Sequence, residues 1–355
     1  MRRRQIDPYK INYFYPVQNI LSLFNLTGPI SPLGSGHIND SYRVGEGHLL
    51  QRINHQIFPD VAGLMSNIDL VTGHIRKKIA AATGEAANQQ TLTVVPTKDG
   101  KLFAQDEAGN YWRVYEFLTG LHSHDLLETP EQAYAGARSY GYFLRFLDDF
   151  PAEQITDVIP NFHNTVTRLK DFEFAVKTDS ENRVRECRKE IAYVHSLADH
   201  MTTIQRAWVA GKLRTRITHN DTKFNNVMFN AAEQGRCVVD LDTVMRGVVH
   251  FDVGDAIRTG AATANEDETD LQLVGVDMEK LRAFTEGYLS VTRDFLSPEE
   301  LQLLPHSGGL LAYLMAVRFL TDYLAGDRYY KIAYPNHNLV RGQNQLRLCD
   351  SLLVR

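Results

Sequence analysis

The chain has 355 residues, 43% of them hydrophobic and 23% charged, and its 43 acidic and 38 basic side chains leave a formal net charge of −5. That balance excludes a disordered chain, and with no long run of one sign beyond Arg2-Arg3-Arg4 it argues against nucleic-acid binding as the main task. At this length two lobes with a cleft between them are expected rather than a single core.

Gln5, Asp7, Lys10 and Asn12 follow the basic tip, so no apolar signal-peptide core is expected there. A helical segment around Pro16 to Leu26 leads into Pro32-Leu33-Gly34-Ser35-Gly36, and Tyr42 to Val44 with His48 to Ile53 then reads as a hairpin turning at Gly45-Glu46-Gly47. Over 61–82, Leu64, Ile68, Val71, Ile75 and Ile79 recur every three or four residues, the spacing of one helical face. Strands are expected over 92–96, 101–105 and 111–118, with turns at Asp99-Gly100 and Ala108-Gly109-Asn110.

Beyond Gly120 the pattern turns helical, over 130–150, 184–210, 278–291, 298–324 and from Leu339 onward. Short apolar strands interrupt it at 216–218, 227–229 and 237–241. The most apolar segment, Gly309 to Leu320, contains Arg318 and is too short to cross a bilayer, so a buried helix is expected. Cys187, Cys237 and Cys349 lack metal-ligand spacing and read as inert thiols of a reducing, cytoplasmic compartment. The expected division is an α+β lobe over 1–118 and a mainly helical lobe over 119–355, joined through Glu116-Phe117-Leu118-Thr119.

The polar residues with chemical potential lie between short buried strands. Thr218-His219-Asn220-Asp221-Thr222-Lys223-Phe224-Asn225-Asn226 follows one, and Asp240 ends another at Val238-Val239-Asp240-Leu241-Asp242. Phosphoryl transfer needs an aligned hydroxyl, an acceptor for its proton and a cation to neutralise phosphate charge. Asp221 can serve the first two needs, while Asn226 and Asp240 offer the hard oxygen ligands that Mg2+ prefers. An Asx-rich turn that merely caps its neighbours would leave Asp240, at the end of a buried strand, unexplained.

His-x-Asp, Asn five residues after the aspartate, and then an apolar strand ending in Asp resembles the core of the aminoglycoside phosphotransferase-like kinases, a superfamily that shares the protein-kinase fold. The resemblance implies a bilobal fold, with a small antiparallel-sheet N-lobe for nucleotide and a mainly helical C-lobe. It also implies that His219 braces the catalytic loop, Asp221 is the base, Lys223 contacts phosphate, and Asn226 and Asp240 bind Mg2+ beside ATP. For the nucleotide it points to Gly34 and Gly36, whose loop lacks the third glycine of protein kinases, to Glu116 and Leu118 in the joining segment, and to Arg52. Protein kinases carry lysine near Arg52, and whether Arg52 or Gln51 replaces it stays open, as does a partnership with Asp69.

Closer likeness runs through Gly36-His37-Ile38-Asn39, Ile57-Phe58-Pro59-Asp60, Trp112-Arg113-Val114-Tyr115, Asp240-Leu241-Asp242-Thr243, Phe251-Asp252-Val253-Gly254-Asp255 and the segment Tyr334 to Arg341. These segments resemble the bacterial N-acetylhexosamine 1-kinase family, which phosphorylates the anomeric hydroxyl of N-acetylglucosamine or N-acetylgalactosamine. The resemblance implies sugar contacts at His37, Asp221, Arg318 and Tyr329, and a small sugar and ATP as partners, with neither nucleic acid nor membrane. The residues themselves leave alternatives open: a solvated His37, an internal ion pair at Arg318, a merely packed Tyr329. The acidic run Glu266, Asp267, Glu268 and Asp270 reads as a solvated loop or as a lure for a polycation, so an aminoglycoside or choline-like acceptor remains the alternative, and a nucleotide-binding pseudokinase the rival from another class. Gluco or galacto preference, oligomeric state and resting lobe closure are not legible.

Overall fold

A computed structural model describes residues 17–33, 38–84 and 89–353. Contacts divide it into two compact units, residues 1–69 with 93–119, and residues 70–92 with 120–355.

The first unit begins with α1 (Val17–Leu23) and continues through β1 (Ile30–Pro32), β2 (Asp40–Val44) and β3 (His48–Ile53). Helix α2 (Val61–Thr83) runs from this unit into the second, the division falling after Asp69. Strands β4 (Val94–Val95), β5 (Ala104–Gln105) and β6 (Tyr111–Glu116) complete an antiparallel sheet of order β1-β2-β3-β6-β4, with β5 also on β6. The hairpin turn needs Gly45 at φ 55°, a left-handed conformation that glycine adopts without a Cβ penalty. Ile20 and Leu21 of α1, with Phe24 just beyond it, bury against Val44, Leu50, Trp112 and Val114 of the sheet. In α2, Leu64, Ile68, Val71, Ile75 and Ile79 are all buried, the face expected from their spacing, and Asp60 caps the helix by accepting the Gly63 N–H at 2.8 Å.

The second unit is mainly helical: α3 (Pro130–Phe146), α4 (Thr165–Thr178), α5 (Arg188–Met201), α6 (Thr203–Val209), α7 (Val249–Gly260), α8 (Met278–Thr292), α9 (Pro298–Leu303), α10 (Ser307–Leu324) and α11 (His337–Leu352). Two small antiparallel pairs stand among the helices, β7 (Arg216–Thr218) with β10 (Met245–Gly247), and β8 (Val227–Phe229) with β9 (Gly235–Val238). Thr129 and Gln132 form a reciprocal capping box at α3, with Pro130 in the first turn where its missing N–H costs nothing. Helix α10 is the axis of the core, with Leu310 to Leu314, Val317, Leu320, Tyr323 and Leu324 buried among residues of α4, α5 and α11. The stretch Pro298–Leu324 is long and apolar enough to cross a membrane by length and composition, yet 67% of its most apolar window is buried within the protein.

The antiparallel sheet and the helical unit bear out the expected α+β kinase-like fold. Several boundaries differ. The helix expected over 184–210 is broken into a short 3-10 turn, α5 and α6, and that over 298–324 breaks at a 3-10 turn containing Pro305, which has no N–H to give. Helix α4 and strand β10 were not expected, and α7, the helix after the Asp240 strand, had no bounds to be read from the sequence. Helix α7 hides its character because nearly every residue is buried, polar ones included, so no face alternates.

Candidate active site

Strand β7 delivers the chain into a loop whose shape is fixed by backbone contacts. Asn220 turns with φ 64°, tolerable for asparagine, and its side chain donates to the carbonyls of Thr218 and Thr243 while accepting from the Thr218 hydroxyl. The Asp252 carboxylate of α7 accepts the N–H groups of His219 and Asn220 at 2.9 and 2.8 Å, and the Thr222 hydroxyl donates to the Asp252 carbonyl at 2.6 Å. His219 lies fully buried between Tyr140 and Phe143. Its Nδ1 accepts the Asp221 N–H at 3.3 Å, so Nε2 carries the proton and donates to the Val239 carbonyl at 2.9 Å. One imidazole thus ties the Asp221 backbone to the residue before Asp240.

Phe224 anchors the loop from below. Its ring fills space left by two glycines, since a Cβ on Gly136 of α3 or Gly260 of α7 would stand 2.3 or 2.2 Å from it. A one-turn 3-10 helix, Phe224–Asn226, then enters β8. Asn226 is buried and gives its amide N–H to the Asp221 carbonyl at 2.8 Å, which leaves Oδ1 on the other side of the amide plane. Its own carbonyl accepts the Val239 N–H at 2.9 Å, continuing the β8–β9 register of Val227 with Val238. Asn226 and Asp240 therefore stand at the same end of that hairpin. Asp240 is exposed and left-handed, at φ 56° and ψ 58°. An amide oxygen and a carboxylate so placed are a hard-oxygen donor set suited to Mg2+.

Charge is distributed unevenly. The Lys223 ammonium lies 3.1 Å from the Asp221 carboxylate. Burial pushes Asp221 up, but the Lys223 ammonium outweighs it and holds the carboxyl below its usual range, while the same pairing raises Lys223. Asp252 behaves oppositely: burial drives it up to about 6 despite the two amides it accepts. Asp221 is thus the ionised, solvent-reached carboxylate of the pair.

Gly34, Gly36 and His37 lie outside the described residues. Arg52 faces Asp40 across the β2–β3 register and forms an ion pair with it, and Gln51 bonds Ser41 and the guanidinium of Arg113. Glu116 ends β6 exposed, its N–H given to the Thr93 carbonyl, and Leu118 follows half-buried. In the second unit the guanidinium of Arg318 lies over the rings of Phe162 and Tyr330, at 5.0 and 5.7 Å. Among the described residues no carboxylate pairs with it, which removes the internal ion pair as its reason for being there. His163, next to Phe162, meets the Asn220 carbonyl at 3.0 Å, so the Phe162-His163 pair links the surroundings of Arg318 to the Asp221 loop. Tyr329 is 61% exposed.

The sequence model of the APH phosphotransferase enzyme family matches residues 29–284. The chain belongs to this family. Its fold is that of solved family kinases at low identity. An aminoglycoside phosphotransferase from Alicyclobacillus acidocaldarius superposes with a TM-score of 0.60 at 14% identity, over 94% of each chain. The amicoumacin kinase hAmiN, solved with AMP-PNP and Ca2+, gives 0.59 at 14% over 94% of this chain and 92% of its own. A microcompartment-associated aminopropanol kinase gives 0.54 at 13% over 94% of both. Arg318 and Tyr329 lie beyond the segment the phosphotransferase family model matches.

Within this phosphotransferase three supporting residues escape sequence reasoning. Asp252 shapes the loop from α7, and Tyr140 donates to the Lys223 carbonyl at 2.5 Å. Asp322, buried in α10, accepts the N–H groups of Arg328, Tyr329 and Tyr330 and the amide of Asn338, so it sets the turn that carries both tyrosines. The available signal was an acid inside an apolar stretch, because a buried carboxylate requires donors.

Proposed function

We propose that the chain transfers the γ-phosphoryl group of ATP to the anomeric hydroxyl of an N-acetylhexosamine, giving the sugar 1-phosphate and ADP. The reading rests above all on the loop that holds an ionised Asp221 rigidly beside Lys223 and next to the Asn226 and Asp240 oxygens. Asp221 orients the sugar hydroxyl and takes its proton as O1 bonds to the γ-phosphorus. The bond from that phosphorus to the bridging oxygen breaks, and its electron pair leaves on ADP. Asn226 Oδ1 and the Asp240 carboxylate would hold Mg2+, which when bound neutralises charge on the phosphates. Lys223 adds a second cation near the transferred group.

Arg318 supports a neutral, hydroxyl-rich acceptor. A guanidinium stacked on Phe162 and Tyr330, with no carboxylate partner among the described residues, can donate to sugar hydroxyls or an acetamido oxygen, and it repels a polycation. The acidic run offers little to attract one. Glu266 is engaged by buried Arg258 at 2.7 Å and Asp267 stands 3.5 Å from His337. Tyr329, held on the Asp322 turn, and His37 complete the proposed sugar contacts.

ADP release measured with N-acetylglucosamine, N-acetylgalactosamine, aminoglycosides and choline tests the acceptor. The expected result is turnover with a hexosamine and a product phosphate labile in mild acid, as an anomeric phosphate is. Turnover confined to an amino alcohol or aminoglycoside would replace the sugar reading but keep the kinase. Nucleotide binding without any transfer would leave a pseudokinase.

A further inference from the structure

A second polar cluster lies away from the catalytic loop, at the far end of the hairpin that carries Asn226 and Asp240. The rings of His122 and His124 stand 5.0 Å apart at 87° to each other, and both aim Nε2 at one carboxylate, Glu233. The Glu233 oxygens lie 3.0 Å from His122 and 2.7 Å from His124, and all three potential ligand atoms fall within 4.8 Å of one another. Among the described residues this is the only group of three His, Cys, Asp or Glu side chains so disposed.

His122 and Glu233 are each held in place by backbone contacts independent of the cluster, and His124 packs its ring on Phe229 at 5.1 Å. His122 exchanges two backbone hydrogen bonds with Phe229, at 2.9 and 2.7 Å, which fixes the 120–124 segment against β8. The loop after β8 is tight: Asn230 accepts the N–H groups of Ala232 and Gln234, and Glu233 takes the left-handed φ of 55°. A glutamate there pays a conformational penalty that glycine or asparagine would avoid, and the loop thereby turns its carboxylate toward the imidazoles. Gln132, locked by the α3 capping box, points its amide N–H groups at Glu233 and His124, both at 3.5 Å.

We propose that His122, His124 and Glu233 form a binding site for a first-row transition-metal dication of the zinc class, distinct from the oxygen site for Mg2+. Two imidazole nitrogens and one carboxylate oxygen are the three-ligand set of open zinc sites, with water in the fourth position, whereas Mg2+ and Ca2+ prefer oxygen alone. Gln132 is a positioning residue, donating to the ligating carboxylate from outside. The ion would staple the segment just past Thr119 to the β8–β9 hairpin, and would do so whatever acceptor the enzyme uses.

The test is titration of the full chain with ZnCl2 at neutral pH in excess Mg2+, which occupies the oxygen site. The expected result is one bound equivalent, weakened about tenfold or more by His124→Ala or Glu233→Gln and retained by Asp240→Asn. Zn2+ should raise the melting temperature of the parent but not of the H122A/H124A double variant. With Co2+ the parent should show a ligand-field band of low coordination number without thiolate charge transfer. Absence of that band and of zinc binding in excess Mg2+, or equal affinity in the double variant, overturns the site.

Discussion

Asp221 and Lys223 are separated by one residue and 3.1 Å, and the pairing has a kinetic consequence. The ammonium holds Asp221 below its usual range, so the acid limb of the pH–rate profile for the proposed reaction should lie below the ordinary carboxylate region. Lys223→Met removes that pull, leaves burial to act, and should move the limb to higher pH while lowering turnover; an unmoved limb would detach Asp221 from the proton transfer. Asp221→Asn should lose turnover by orders of magnitude and still bind ATP. Asp322→Ala should act differently, freeing the turn of Tyr329 and Tyr330 and raising KM for the acceptor more than it lowers kcat. For Asp240, asparagine is the informative substitution. Alanine would add a left-handed backbone strain of about 1 kcal/mol to the loss of charge.

Elements meet at two kinds of joint. Phe224 plugs the catalytic loop into facing glycines of α3 and α7, so Gly136→Ala should displace the ring and cost about 1–3 kcal/mol, with activity falling beyond the loss of folded protein. Arg216 of β7 and Glu300 of α9 form a buried pair at 2.7 Å, and Asp148 also engages Arg216. Glu300→Ala leaves the buried guanidinium only the partly exposed Asp148 as a charge partner and should cost on the order of 3 kcal/mol by denaturant unfolding, while an Arg216→Met, Glu300→Leu double variant should recover much of it. The loop that gathers Asp221, Lys223 and Asn226 between short buried strands was legible in the sequence as polar residues bunched between apolar ones. So were α2, with its one buried face, and the β2–β3 hairpin, marked by its glycine turn. The bounds of helix α7 were not, since its Asp252 and His250 are buried on distant partners, the His219 N–H and the Glu300 carbonyl, that no local pattern encodes, while Asp255 is buried too and pairs with Arg258 one turn on. Arg52 shows the converse: sequence position suggested nucleotide, but its cross-strand neighbour is Asp40.

For the whole molecule, the response to weak acid is shaped by buried His163, His250 and His337 and by buried Asp252. Burial pushes His163 and His250 down to about 4, so each takes up its proton near pH 6.5 in the unfolded chain but not in the folded one. Their contribution is complete above that pH and is lost on acidification toward 4. Asp252, raised to about 6, works the other way, adding stability as pH falls from 6. The lowered histidines, His337 among them, outnumber Asp252, so stability falls with acidification between pH 6 and 4. Melting temperatures over that interval should fall accordingly, and His250→Gln should flatten the slope; a flat parent profile would refute the assignment. The central helix α10 has a consequence for synthesis. Its most extensive partner includes α11, residues 337–352, which leaves the ribosome after it. Until then one of the most apolar surfaces of the nascent chain is uncovered, so translation products ending before His337 should be claimed by chaperones or aggregate rather than accumulate as a shortened kinase.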